Sequence, residues 1–91
     1  MLDFHVTKTI FDLTKKGYKT HEYREYKPYW IKRLEHLNPP LMANIVEGYS
    51  DKKIPVTIIK INSIKSSEVP PIYRIFVINT RYCYDIEYKE R

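Results

Sequence analysis

Apolar and polar residues alternate at both ends of the chain, as in β-strands that bury one face. Leu2, Phe4 and Val6 share one parity near the start, and Tyr82, Tyr84, Ile86 and Tyr88 share one near the end. Other apolar stretches lie between turn residues. The pattern predicts six strands, at residues 2–6, 18–24, 42–46, 54–64, 72–78 and 82–89.

The long stretch at residues 54–64 changes its apolar parity. Val56 and Ile58 have one parity, whereas Ile59 and Ile61 have the other. This change predicts a β-bulge or a strand buried on both sides, as where a strand bends round a barrel.

A helix is predicted over residues 8–16. Thr7 is a suitable N-cap, and Ile10 and Leu13 lie on one helical face. Gly17 suits the position after the helix, because glycine adopts a left-handed conformation without a steric penalty.

A second helix is predicted over residues 29–37. Pro28 fits its first position, where no backbone donor is needed, and Trp30 and Leu34 share one face. The Asn38-Pro39-Pro40 segment is expected to end it.

These elements predict an α+β fold: a small β-barrel of about six strands with two helices inserted early in the chain. A chain of 91 residues has room for one hydrophobic core, so residues 1–91 are expected to form a single domain.

The positive charge is concentrated in one part of the chain. Residues 8–33 hold eight basic and three acidic side chains, which accounts for the whole net charge of +5. The same stretch contains five aromatic residues, Tyr18, Tyr23, Tyr26, Tyr29 and Trp30. Basic groups attract phosphates and aromatic faces stack unpaired bases, so this composition favours binding of single-stranded or looped RNA. The alternative is a solvated basic face above core tyrosines.

The segment Gly17 to Arg24 has the pattern G-x-K-x-x-E-x-R, formed by Gly17, Lys19, Glu22 and Arg24. This pattern resembles the motif of the ASCH domain family, a branch of the PUA-like barrel folds. The order of the predicted elements resembles that family along nearly the whole chain. The resemblance implies a PUA-like barrel and a role that involves RNA.

The motif residues form a candidate ligand-binding cleft. On an extended strand Glu22 and Arg24 point to the same side, and Lys19 joins them if the glycine turn swings it round. Lysine offers a point charge, arginine a planar fork, and glutamate an acceptor for the amino group of a base. The predicted flanking ligand contacts are Tyr26, Trp30, Lys32 and Arg33. The alternatives are an ordinary Glu–Arg pair beside a solvated lysine, and a core position for Trp30.

An enzyme that hydrolyses a modified nucleoside or RNA is the second hypothesis, with Lys19 and Glu22 as the catalytic pair. One branch of the resembled family hydrolyses acetylcytidine with a lysine that matches Lys19. Its nucleophilic threonine falls where this chain has Glu22, and Thr20 lies two positions away. A third hypothesis is a protein-interaction or inhibitor module.

Several classes of site are not expected. The single cysteine, Cys83, cannot form a disulfide within the chain and is interpreted as structural. The three histidines lack metal-ligand spacing, so neither a metal nor another cofactor is expected. No apolar run approaches the length of a membrane span, and no signal peptide is recognised. A cytoplasmic location is therefore expected, without a membrane partner.

Overall fold

The computed structural model describes residues 2–91 and shows an α+β fold in which one curled sheet forms a half-barrel. The sheet has five strands: β1 (Leu2–Val6), β2 (His21–Glu25), β3 (Leu41–Glu47), β4 (Lys53–Lys65) and β5 (Tyr82–Glu90). The α-helices are α1 (Lys8–Lys15) and α2 (Pro28–Leu34), and two 3₁₀ helices span Ser66–Glu68 and Pro71–Val77.

The strands lie in the order β1-β3-β4-β5-β2, so β1 and β2 are the two edges. The β1–β3 pair is parallel, and the other neighbours are antiparallel. The register of β4 against β5 shifts between Ile58 and Lys60. This irregularity confirms the bulge that the parity change predicted, and it lets Ile58 and Ile61 both pack toward the main core.

The first helix forms as the sequence predicts. The Thr7 hydroxyl accepts a hydrogen bond from the backbone N–H of Ile10 at 3.3 Å, which makes it the N-cap. The helix ends at Lys15, and Gly17 follows with a φ of +81°, the left-handed conformation expected there.

The second helix is shorter than predicted. It begins at Pro28 but ends at Leu34, three residues before the expected end at residue 37. The backbone N–H of Leu37 donates to the Leu34 carbonyl, three residues back, at 3.2 Å, so the chain tightens into a turn after Leu34 instead of continuing the α-helix.

The strand predicted at residues 72–78 is wrong, and with it the count of six strands. This segment is the 3₁₀ helix Pro71–Val77, here called the cover helix. Its β-branched residues favour a strand locally, but packing overrides that preference. Tyr73, Phe76 and Val77 turn inward at helical spacing, while isoleucines 72, 75 and 78 remain exposed.

Two apolar clusters hold the fold together. The main core lies inside the curled sheet and includes Phe4, Ile45 and Ile86, with Leu34 from α2 packed against them. A smaller cluster, formed by Tyr23, Val69, Val77 and Cys83, lies where the cover helix and its neighbouring loop pack on β2 and β5.

Candidate ligand-binding site

The turn after α1 brings Lys19 back toward β2. The backbone N–H groups of Tyr18 and Lys19 both donate to the carbonyl of Leu13, at 3.0 and 3.3 Å. These two hydrogen bonds to one carbonyl oxygen close the end of the helix, and the left-handed conformation of Gly17 makes them possible. Lys19 is consequently buried, with 3% of its surface exposed, although it precedes the strand.

The structure brings Lys19, Glu22 and Arg24 together, and we call these three residues the charge cluster. Lys19 Nζ lies 2.7 Å from Glu22 Oε2, and Arg24 Nη2 lies 3.2 Å from Glu22 Oε1. Each carboxylate oxygen therefore faces one cation. Only 1% of Glu22 is exposed, so these contacts are shielded from water.

Arg24 spans the gap between the two edge strands. Its Nη2 also donates to the backbone carbonyl of His5 on β1, at 3.0 Å. The guanidinium carbon lies 5.1 Å from the ring centre of Trp30, 5.5 Å from Phe4 and 5.9 Å from Phe76. Its Nε atom is buried and makes no hydrogen bond among residues 2–91.

Lys19 lies between two tyrosine rings. Its Nζ is 5.4 Å from the ring centre of Tyr73 and 5.3 Å from that of Tyr88. Burial lowers the pKa of Lys19, and the nearby Glu22 carboxylate opposes this shift.

Tyr88 connects the charge cluster to α1. Its hydroxyl lies 3.0 Å from Thr14 Oγ1 and donates to the Lys19 carbonyl at 3.2 Å. Burial raises the pKa of Tyr88.

The cover helix closes the outer side of the charge cluster. The ring of Tyr73 packs on that of Tyr23 with centres 5.8 Å apart and also faces Lys19. After the helix, the backbone N–H of Asn79 donates to Glu25 Oε2 at 3.0 Å. The charge cluster is thus an enclosed site rather than the open cleft mouth that the sequence suggested.

The four flanking residues predicted as ligand contacts do not share one environment. Trp30 is half-buried and stacks on Phe4 with ring centres 5.7 Å apart, so it has a core contact. Lys32 is exposed, and the guanidinium of Arg33 lies 3.5 Å from the ring centre of Tyr29. Tyr26 is 41% exposed and lines a separate cavity of about 260 Å³ beside α2.

Other polar groups have structural partners. Cys83 is fully buried, which raises the pKa of its thiol and agrees with a structural position. His21 Nδ1 lies 2.6 Å from Asp85 Oδ1.

Within residues 2–91 no group of three or more potential metal ligands is found. None of the helices in the same range is long and apolar enough to cross a bilayer.

Sequence reasoning missed the aromatic partners that the cover helix and β5 supply. Tyr73 and Phe76 come from a segment predicted as a strand, and Tyr88 contacts residues almost seventy positions away. The helical spacing of Tyr73, Phe76 and Val77 behind Pro71 was the sequence feature that could have indicated the cover helix.

Comparisons with known proteins do not identify the chain. No family model matches the sequence, and no curated protein or solved structure matches it either.

Proposed function

We propose that this protein binds single-stranded RNA or a nucleotide. Exposed basic side chains of residues 8–33 contact phosphates, and one base enters at the charge cluster. There Glu22 accepts hydrogen bonds from the base, and neighbouring aromatic rings stack on it. The resemblance of the Gly17–Arg24 segment to the ASCH motif points to the same class of ligand.

The observation that supports the proposal is a charged group of three residues enclosed by aromatic rings. Removing an ion from water costs several kcal/mol, and apolar side chains of similar volume stabilise a core equally well or better. Stability alone therefore does not require Lys19, Glu22 and Arg24 at this position. Each has polar atoms that can pair with a ligand, and Arg24 Nε is a donor without a partner in the described chain.

A ligand reaches the charge cluster only when the cover helix moves. The helix contributes Tyr73 and Phe76 to the enclosure, but Ile72 and Ile75, and Ile78 directly after it, lie in solvent. Because these three apolar side chains gain little from burial, the segment opens at lower free energy than the sheet beneath it. Opening exposes the rings and the charges together.

The exposed cations lie on both sides of the aromatic stretch. Lys15 is the last residue of α1 and Lys16 follows it, while Lys27, Lys32 and Arg33 belong to α2 and the residue before it. Three exposed tyrosines, Tyr18, Tyr26 and Tyr29, lie among them in sequence. This is the mixture of phosphate contacts and stacking faces that single-stranded nucleic acids use.

The test measures the affinity for a fluorescent single-stranded RNA at several salt concentrations. Binding should weaken linearly on a log–log plot, with a slope of about 0.7 for each neutralised phosphate. The Lys32→Ala/Arg33→Ala variant should bind more weakly and lower the slope by about 1.4. The matched control is Lys52→Ala/Lys89→Ala, which removes two exposed cations outside the basic stretch and should leave the slope unchanged. Binding without a salt slope, or equal loss in both variants, contradicts the proposal.

The charge cluster is tested with Glu22→Gln, which keeps the shape of the side chain. We expect weaker binding of RNA with an unchanged salt slope, because the slope reports phosphates and Glu22 contacts the base. Circular dichroism checks that the variant is folded. Unchanged affinity in a folded Glu22→Gln protein would remove the charge cluster from the site.

The hydrolase hypothesis uses the same residues as the binding proposal. A measurement of catalytic turnover distinguishes the two. The Thr14 hydroxyl is bonded to Tyr88 and to the Ile10 carbonyl, and Thr20 is exposed, so neither is paired with the charge cluster. Hydrolysis of short RNAs or acetylated nucleosides that Glu22→Gln abolishes would establish an enzyme. Capture of a protein partner in the presence of ribonuclease would instead establish an interaction module.

A further inference from the structure

A second candidate site lies beside α2 and is lined by none of the three residues of the charge cluster. It is a cavity of about 260 Å³ where Tyr26 and the residues after α2 meet β4 and β5. Its apolar base includes Leu34, Ile61 and Tyr84. Sites for drug-sized ligands have roughly 300–1,000 Å³, so this cavity suits a single planar ring system.

The polar groups of this cavity have a definite chemical preference. The Tyr84 hydroxyl donates to Glu35 Oε2 at 2.5 Å and holds the carboxylate at the cavity. Glu35 Oε1 has no hydrogen-bond partner among residues 2–91, and Glu35 itself is exposed. Ser63 lies opposite Tyr84 in the register of β4 and β5 and supplies a hydroxyl, whereas the side chain of the neighbouring Asn62 has the opposite parity.

The composition of the wall excludes a phosphate and favours an aromatic ligand. No lysine or arginine lines the cavity, and its one charged group is the Glu35 carboxylate, which repels anions. Tyr26 leaves 41% of its surface exposed, and its ring centre lies 5.2 Å from that of Tyr84. These features fit a flat group without negative charge that stacks on Tyr26 and donates hydrogen bonds to Glu35.

We infer that this cavity is a subsite for an unpaired nucleobase that carries an exocyclic amino group, such as cytosine or adenine. The amino group donates to Glu35 Oε1, and the Ser63 hydroxyl donates to the neighbouring ring acceptor. A carbonyl at the same position, as in uracil or hypoxanthine, faces the carboxylate without a proton to share. The link to RNA rests on the proposed function, but the binding of the base itself does not.

The inference is tested with free nucleosides, which carry no phosphate. Two matched pairs differ in the amino group: cytidine with uridine, and adenosine with inosine. In ¹H–¹⁵N spectra of the full chain, cytidine and adenosine should shift the amides around Tyr26, Glu35 and Asn62. Their affinity should exceed that of the carbonyl partners by at least about fivefold, the lower end for a good pair of hydrogen bonds. Equal shifts by all four nucleosides, or shifts elsewhere on the chain, overturn the inference.

Two variants make the assignment specific to the carboxylate. Glu35→Gln should remove the preference for amino bases, and Glu68→Gln, at another exposed acid, should keep it. If Glu35→Gln is poorly folded, Ser63→Ala, at an exposed position of β4, tests the second hydrogen bond to the base. A preference that survives both Glu35→Gln and Ser63→Ala overturns the inference.

The outcomes separate this inference from the proposed function. Amino nucleosides that bind this cavity while RNA shows no salt-dependent affinity support the subsite and contradict RNA binding. RNA that binds with the expected salt slope, while no nucleoside binds and Glu35→Gln leaves base preference unchanged, contradicts the subsite alone.

Discussion

Arg24 and His5 join the two edges of the sheet through one hydrogen bond, from the guanidinium Nη2 to the backbone carbonyl at 3.0 Å. The two residues lie on β2 and β1, which no ladder of backbone hydrogen bonds connects among the described residues. The same guanidinium faces Glu22 at 3.2 Å. Arg24 therefore ties the charge cluster to the closure of the half-barrel.

Replacing Arg24 should destabilise the fold strongly. Arg24→Ala removes one of the two cations on a buried carboxylate, and breaking a buried ion pair costs about 3–5 kcal/mol. Urea unfolding followed by circular dichroism measures this loss. Lys8→Ala is the control, because Lys8 pairs with Asp12 at 2.8 Å on the surface and its loss should change little. Similar urea midpoints for Arg24→Ala and wild type would contradict a role in holding the edges together.

The protein should lose stability in alkaline solution. Burial raises the pKa of Tyr23 to about 12 and also raises the pKa values of Tyr84 and Tyr88. Between about pH 10, where a free tyrosine ionises, and pH 12 the unfolded chain binds fewer protons than the folded one. Stability therefore falls with rising pH in this window.

Lys19 acts in the opposite direction, because its lowered pKa makes the unfolded chain bind more protons below pH 10.5. We expect the three tyrosines to outweigh this one lysine. Urea midpoints measured from about pH 8 to pH 11.5 should decline, and Tyr23→Phe should decline less steeply. An alkaline profile of Tyr23→Phe as steep as that of wild type would refute the assignment to Tyr23.

Cys83 should report the opening of the cover helix. Its side chain is fully buried beside Val77, and burial raises the pKa of the thiol, so a thiol reagent should react slowly with the folded protein. Val77→Ala should accelerate the reaction several-fold, because it weakens the packing of the helix over Cys83. Ile75→Ala is the matched control, since Ile75 is 72% exposed on the outer side of the same helix. Equal rates in the two variants would show that the helix does not limit access.

Gly17 should resist substitution because of its backbone conformation. A left-handed residue with a side chain costs about 1–2 kcal/mol, so Gly17→Ala should lower the free energy of unfolding by this amount. A Cβ atom would meet nothing within 4 Å, so the cost comes from φ and not from a clash. Lys16→Ala, at a position with a φ of −81°, should be nearly neutral. A neutral Gly17→Ala would show that the turn relaxes into another conformation.

The sequence patterns correctly predicted those elements whose conformation depends on residues close together in the chain. The Thr7 cap, the Gly17 turn and the alternating β1 are each determined by neighbouring residues, and the structure confirms them. The bulge in β4 could be predicted because few strand conformations produce a change of apolar parity within one strand.

Contacts between residues far apart in the chain could not be predicted from the sequence. Strand parity placed Glu22 and Arg24 on one side, but it could not show that the His5 carbonyl receives Arg24. The cavity beside Tyr26 combines Glu35 after α2 with Ser63 on β4 and Tyr84 on β5, and only the register of the sheet brings these residues together.

The position of Trp30 gives the molecule an intrinsic optical probe. It is the single tryptophan in the chain, and its indole contacts both the ring of Phe4 and the guanidinium of Arg24. A nearby cation and the local polarity both influence indole emission. The emission maximum of the unlabelled protein should therefore report events at the junction of the edge strands, in real time and without an attached dye.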